Sequence, residues 1–472
     1  MMNSDEFRKY AHEAVDWMAD YLDNIETFPV KGNVKSYEIY NQLPDAAPNN
    51  GESMDSIMED FQKIILPGIT HWQSPNFFAY FPANSSYPSV LAEMLTATLG
   101  VQCMIWETSP AAAELEERVM NWLKDMIGLP DFFEGVIQDT ASSATLVAIL
   151  TAREKYSSFN INQDGFIGND NFRVYCSTET HSSIEKAVKI AGIGKRNLVK
   201  IEVDEKLSLR PDKLEEAIIE DLQKGKKPLC VIATLGTTST TAVDPLFDIA
   251  DICKRYNVWL HVDAAFAGTA LVLPEYRWMI DGIKQVDSFV FNPHKWMFTN
   301  FDCSAYFVKD KEALIRTFEI LPEYLKTKTN ATVNNYRDWG IPLGRRFRAL
   351  KLWFVIRSFG VEGIKEKIKN HIELAREFAQ KIIDHKDFEL MAAVEFNLIC
   401  FRYKPDRHNN EKEIDVVNEM LLQRLNDSGK IYLTHTKING HYTLRLVVGQ
   451  TNVDRKHVDN AWKLIQSTSA EI

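Results

Sequence analysis

Between about residues 85 and 350 the chain repeats one pattern: a short apolar run, then a stretch with helical spacing. GVIQ (135–138) leads into SATLVAILTAREK, VYCS (174–177) into SSIEKAVKIAG, and LCVIATL (229–235) into LFDIADICKRY. VWLHVD (258–263), SFVF (288–291) and CSAYFV (303–308) complete the series. Strands separated by helices cannot close as tight hairpins. Apolar runs without alternation need cover on both faces. Together these features predict an α/β fold with a mostly parallel sheet flanked by helices. In such sheets ligands bind beyond the carboxyl ends of the strands, so the strand ends are where chemistry is sought.

At 472 residues the chain exceeds what one hydrophobic core accommodates. Three parts are expected: a helical segment over 1–84, a large domain over 85–350 and a small α+β domain over 351–472. The first helix is expected to start at a Ser4 cap. Phe7, Tyr10, Ala11, Ala14, Trp17, Met18, Tyr21, Leu22 and Ile25 then recur at helical spacing. So aromatic a stripe, with so little chain around it, implies packing on something beyond this segment, a second subunit being one candidate. The net charge of −11 is spread along the chain, which argues against nucleic acid or an anionic membrane as partner. Six scattered cysteines form no CxxC or Cys/His cluster, so neither disulfides nor a metal is expected. The charged, amphipathic start is no signal peptide, and no apolar run is long enough to span a bilayer, so a cytoplasmic protein is expected.

Five strand ends carry chemistry. GVIQ runs into DTASSAT, whose hydroxyl residues open a helix, an arrangement that suits a phosphate and equally a plain cap. His181 follows VYCSTE, and Thr237 and Thr238 follow LCVIATL. Asp263 closes VWLHVD, and a buried carboxylate needs a partner or a cation. Lys295, in NPHKW, stands just past SFVF, where burial lowers an amine's pKa and makes it a Schiff-base nucleophile. Each of these alone has an ordinary structural explanation. Jointly they are what pyridoxal 5′-phosphate requires: an amine, a carboxylate for the ring nitrogen, an imidazole and a phosphate cradle.

With HVDAAFAG, NPHKW, TASSAT, TETHSSIEKA, ATLGTTSTT, LPEYLK and IPLGRRFRALKLWF, the sequence resembles the pyridoxal-phosphate-dependent group II amino-acid decarboxylases. Within them it is most similar to the aromatic L-amino-acid decarboxylases, in their bacterial form. The likeness runs from HWQSPNFFAYFP to the C-terminal domain. It implies a fold type I enzyme with a seven-stranded sheet, working as a homodimer with shared active sites on small aromatic amino acids. Carried over by position, Lys295 would bind the coenzyme, Asp263 would pair with its ring nitrogen and His181 would stack on the ring. Ala141, Ser142, Asn292 and His294 would hold the phosphate, with Thr238 nearby. Trp72, Tyr80, Phe81, Met104 and Gly344 would line the substrate pocket, and Tyr324 would be a catalytic acid on a mobile loop. The chain departs from the family pattern at Met104, Ala83 and Asp139. An acid at 139, beside the phosphate loop, must point away from it or be paired. The resemblance implies decarboxylation of tryptophan, tyrosine, phenylalanine or dihydroxyphenylalanine to the arylalkylamine and CO2. The alternatives are decarboxylation coupled to oxidative deamination, as in aldehyde synthases, or decarboxylation of another amino acid. In plant relatives the oxidative outcome goes with phenylalanine at the loop tyrosine, and in insect relatives with asparagine at the stacking histidine. This chain has Tyr324 and His181.

Overall fold

The computed structural model describes residues 2–167, 171–320, 333–407 and 410–472. It comprises two compact units, residues 83–372 with 392–396, and residues up to 82 with 373–391 and 397–472.

The first unit contains strands β1 (Glu134–Gln138), β2 (Phe172–Ser177), β3 (Leu198–Ile201), β4 (Lys227–Thr234), β5 (Trp259–Asp263), β6 (Ser288–Phe291) and β7 (Ser304–Val308). They form one sheet in the order β1-β7-β6-β5-β4-β2-β3. Only β7 runs against the others, pairing antiparallel with both β1 and β6. Every residue of β5, β6 and β7 is buried, which is why these strands lack polar alternation. The helix Ala141–Tyr156 packs Val147, Ala148 and Ile149 into the core formed by Val136, Val174, Ile232 and Val290. Each such aliphatic side chain contributes roughly 1.5–3 kcal/mol on burial. The antiparallel insertion places the carboxyl ends of β1, β6, β5, β4 and β2 along the same sheet edge as the start of β7. β3 escapes sequence reading because LVKI is short and only its last residue is buried.

In the second unit β8 (Phe388–Leu390), β9 (Leu398–Tyr403), β10 (Thr434–Ile438) and β11 (His441–Val447) form an antiparallel sheet in the order β10-β11-β9-β8. The β10–β11 hairpin turns through Asn439 and Gly440, both at positive φ (52° and 85°), the backbone that Asn-Gly favours. The first helix, Ser4–Asp23, is capped by Asn3 and not, as expected, by Ser4. Asn3 Oδ1 accepts the Asp5 and Glu6 N–H groups, and Glu6 returns a bond to the Asn3 N–H. The reciprocal Asn-x-x-Glu pair outcompetes a serine one position later. The helices expected after residue 350 lie within Arg348–Ile383, which the non-helical Gly360 (φ 68°, ψ 165°) breaks into two. Among the described residues no helix is long and apolar enough to cross a membrane.

Candidate active site

The strand ends are zipped together by backbone hydrogen bonds. Leu235 N–H donates to Asp263 O (2.9 Å), Ala264 N–H to Val290 O (2.9 Å) and Asn292 N–H to Ala265 O (3.0 Å). Neighbouring parallel strands thus present Asp263 and the Asn292–Trp296 segment at one edge.

Asp263 is buried, and its Oδ1 accepts the Ala265 N–H at 3.0 Å. Lys295 lies on a four-residue helix, Pro293–Trp296. Burial drives its ammonium below the ordinary lysine pKa, opposed by the Asp263 charge. That opposition puts amine and carboxylate within electrostatic reach of each other. His181 follows β2 and is exposed. Crowding by surrounding atoms, then the Lys295 charge, hold its pKa below the usual imidazole value, while Asp263 acts the other way. His181 Nδ1 accepts the Ser183 N–H (3.2 Å) and lies 2.8 Å from Ser183 Oγ. The neutral ring therefore carries its proton on Nε2.

A set of donors surrounds this edge. The helix Ala141–Tyr156 begins at a Thr140 cap, and its first turn leaves the Ala141 and Ser142 N–H groups without helical acceptors. Asn292 Oδ1 accepts the Ser304 hydroxyl at 2.5 Å, which leaves its NH2 group to donate. His294 Nδ1 accepts the Cys303 N–H at 2.9 Å, which places a proton on Nε2. Burial depresses the His294 pKa to about 3, so the ring is a neutral donor. Asp139 Oδ1 accepts the Thr140 N–H at 2.6 Å, so this acid is satisfied by the backbone beside the helix end. Ser304 was not expected at the site. Its Oγ also lies 3.5 Å from Asp139 O, so it joins the β1 end to the Asn292 loop. Asn84 was not expected either, and it donates through Nδ2 to Lys295 O at 2.8 Å. Thr238 is exposed on the turn after β4.

Met104 and Gly344 belong to the same unit and are linked locally. Gln102 Oε1 accepts the Arg345 N–H (2.6 Å), Cys103 N–H donates to Arg345 O (3.0 Å), and Met104 O accepts the Arg337 N–H (2.8 Å). Trp72, Tyr80 and Phe81 lie in the other unit. There the Trp72 and Tyr80 rings stack 5.7 Å apart, and Phe81 lies under the Arg445 guanidinium. Tyr432, unforeseen from sequence, closes this aromatic cluster with its hydroxyl 3.4 Å from that of Tyr80. Tyr324 lies outside the described residues.

An amine of depressed pKa, a buried carboxylate within its electrostatic reach, and a donor-rich, acceptor-poor rim fit pyridoxal phosphate. Residues 37–404 match the pyridoxal-dependent decarboxylase conserved domain. The chain belongs to the pyridoxal-dependent decarboxylases. This decarboxylase is 44% identical over 479 residues to phenylacetaldehyde synthase of Arabidopsis thaliana, covering 99% of this chain and 97% of that protein. It is also 44% identical to tyrosine decarboxylase 3 of Petroselinum crispum, covering 98% and 92%. The crystal structure of Catharanthus roseus tryptophan decarboxylase in complex with L-tryptophan superposes with a TM-score of 0.94 at 39% identity. That match covers 100% of this chain and 99% of the other. The decarboxylase is thus a pyridoxal-phosphate-dependent carboxy-lyase with the type I fold of its family.

Proposed function

We propose that this decarboxylase converts aromatic L-amino acids of the tryptophan, tyrosine, phenylalanine and dihydroxyphenylalanine class into arylalkylamines and CO2. The observation that carries the reading is the coupling of Lys295 to Asp263 at adjacent strand ends, in a chain whose relatives at 44% identity are named for aromatic substrates or products. Lys295 and Asp263 would hold the coenzyme at its aldehyde carbon and ring nitrogen, and His181 would cover its ring. Ala141, Ser142, Asn292 and His294 would take its phosphate, beside Thr238. The bound coenzyme supplies an electron sink for the bond to the departing carboxylate. Tyr324, assisted by the Nε2–H of His181, returns a proton to the substrate Cα. Trp72, Tyr80, Phe81, Met104 and Gly344 are the candidate residues for the substrate ring, and the stacking of Trp72 on Tyr80 suits a flat apolar substrate.

The enzyme acts as a homodimer with shared active sites, in the cytoplasm, and the helix Ser4–Asp23 packs across the partner. Two observations support the dimer. The first is an exposed apolar stripe on the helix Tyr87–Leu99: Tyr87, Leu91, Leu95 and Leu99 are 54%, 52%, 46% and 60% exposed, one per turn. The second is that no residue of the helix Ser4–Asp23 is buried within the chain.

The similarity to phenylacetaldehyde synthase favours a second reading, oxidative deamination coupled to decarboxylation. One assay tests both: CO2, amine, ammonia and hydrogen peroxide measured in parallel from the four amino acids. Amine equal to CO2 supports the first reading. Stoichiometric ammonia and peroxide would establish the second, and no CO2 from any of the four would end both.

A further inference from the structure

The segment that presents Lys295 does not hold its own shape. Its helix is one turn long, and a helix of four residues has no intrinsic stability. Phe298 follows in the left-handed region (φ 54°), an unfavourable backbone for a bulky side chain. Beyond the bonds of its own turn, four backbone groups of this segment are satisfied by Asn84, Ser86 and Ser89. Asn84 N–H donates to His294 O (3.1 Å) and Asn84 Nδ2 to Lys295 O (2.8 Å). Ser86 Oγ donates to Phe298 O (2.7 Å), and the Asn300 N–H donates to Ser89 Oγ (3.3 Å).

These three residues are themselves fixed. All are buried, Asn84 at 1% exposure. Ser86 caps the helix Tyr87–Leu99 and exchanges reciprocal bonds with Ser89: its N–H donates to Ser89 Oγ (3.2 Å), and the Ser89 hydroxyl donates to Ser86 O (3.1 Å). The brace therefore stands on the end of a 13-residue helix and reaches along seven residues of the lysine segment, His294 to Asn300. On the far side, Trp296 Nε1 donates to the buried His371 at 3.0 Å, which stops the segment from rolling away.

We propose that Asn84 and Ser86 are positioning residues that set the approach of the Lys295 amine to the coenzyme. The proposal rests on the reading of Lys295 as the coenzyme-bearing lysine. Asn84 acts on the carbonyl of Lys295 itself. Without that bond the half-buried carbonyl loses the Asn84 donor, and the segment regains the freedom that a one-turn helix followed by a left-handed residue allows. A displaced amine costs rate more than substrate affinity, because the brace touches no group assigned to the substrate.

The test compares Asn84→Ala and Ser86→Ala holoenzymes with Ile252→Val, a buried substitution on the helix Leu246–Tyr256. The expected result for Asn84→Ala is a kcat lowered roughly tenfold with KM within about twofold. The pH midpoint of the coenzyme's visible band should move as well. Ser86→Ala should follow in the same direction, and Ser86→Thr, which keeps the hydroxyl, should recover. Amide exchange over residues 294–300 in the coenzyme-free Asn84→Ala protein should speed up about fivefold. Ile252→Val should move none of these. If Asn84→Ala matches Ile252→Val in kcat, band midpoint and exchange, the brace does no positioning and the proposal falls. If the unaltered protein shows no coenzyme band, the reading of Lys295 fails separately, and the exchange comparison still decides whether the brace exists.

Discussion

Two side chains set the electrostatics of the site. Burial lowers the Lys295 pKa and the Asp263 charge opposes that shift, so the amine is a nucleophile at lower pH than an exposed lysine. Asp263→Asn removes the opposing charge and should move the amine's pKa further down. Imine formation with an aldehyde probe in the coenzyme-free protein, followed against pH, reads this directly, and an upward midpoint would contradict it. In the holoenzyme the same substitution should cut kcat by about 10²–10³-fold, the cost of losing one preorganised electrostatic partner. Lys295→Ala should abolish the visible band. At Gly344 an added Cβ would lie 3.3 Å from Gln102 Nε2, on an amide whose Oε1 is held by the Arg345 N–H. Gly344→Ala should therefore destabilise by about 0.5–1 kcal/mol while altering the ratio of kcat/KM for tryptophan over tyrosine. An unchanged ratio would remove Gly344 from the substrate pocket.

At the level of elements, one buried ion pair joins a helix, a strand and the loop beside Gly344. Glu116, on the helix Pro110–Ile127, pairs with Arg345, and both are nearly inaccessible. Glu116 Oε1 also accepts the Ile137 N–H of β1 at 2.9 Å, and Arg345 donates to Ile137 O at 3.1 Å. Such a pair contributes little net energy, yet breaking it strands a buried cation at a cost of about 3–5 kcal/mol. Glu116→Ala should lower the urea midpoint accordingly, whereas replacing both partners with apolar residues should recover much of the loss. Equal losses in the single and double variants would show that the stranded charge is not the cause.

At the scale of the whole molecule, three buried imidazoles among the described residues are held most strongly in the neutral form. His261, His294 and His371 have pKa values depressed by burial to about 3 from the ordinary 6.5. His261 is held between Thr145 Oγ1 (3.1 Å) and Ser288 Oγ (2.9 Å), and His371 accepts the Trp296 indole N–H. Between pH 6.5 and 3 the unfolded chain binds protons that the folded one does not, so stability is full above pH 6.5 and falls as pH falls. At pH 5 the loss is roughly 2 kcal/mol per ring. Urea midpoints should decline between pH 7 and pH 5, and His371→Gln should flatten the slope by about a third. The proposed homodimer belongs to this scale too. Leu91→Arg with Leu95→Arg places two charges in the exposed stripe and should yield monomers by light scattering, with weakened activity if the sites are shared. A dimer unaffected by both would remove that stripe from the interface.

The sequence by itself determined the α/β class, because strands buried on both faces must be uninterrupted apolar runs, and β5, β6 and β7 carry that signature in full. It also singled out Asp263, Lys295 and His181 as candidates, since each stands at, or four residues beyond, a strand end that is readable. Covalent proximity is a local quantity, and the sequence records it. What it could not record is pairing at a distance. β3 and β8 lack the length and burial that make a pattern. Ser304 reaches the Asn292 loop only because β7 runs antiparallel between β1 and β6. Asn84 meets the Lys295 carbonyl across 211 positions of chain. Such contacts arise when separate apolar faces close on one another, and the register of that closure is fixed by packing over the whole core.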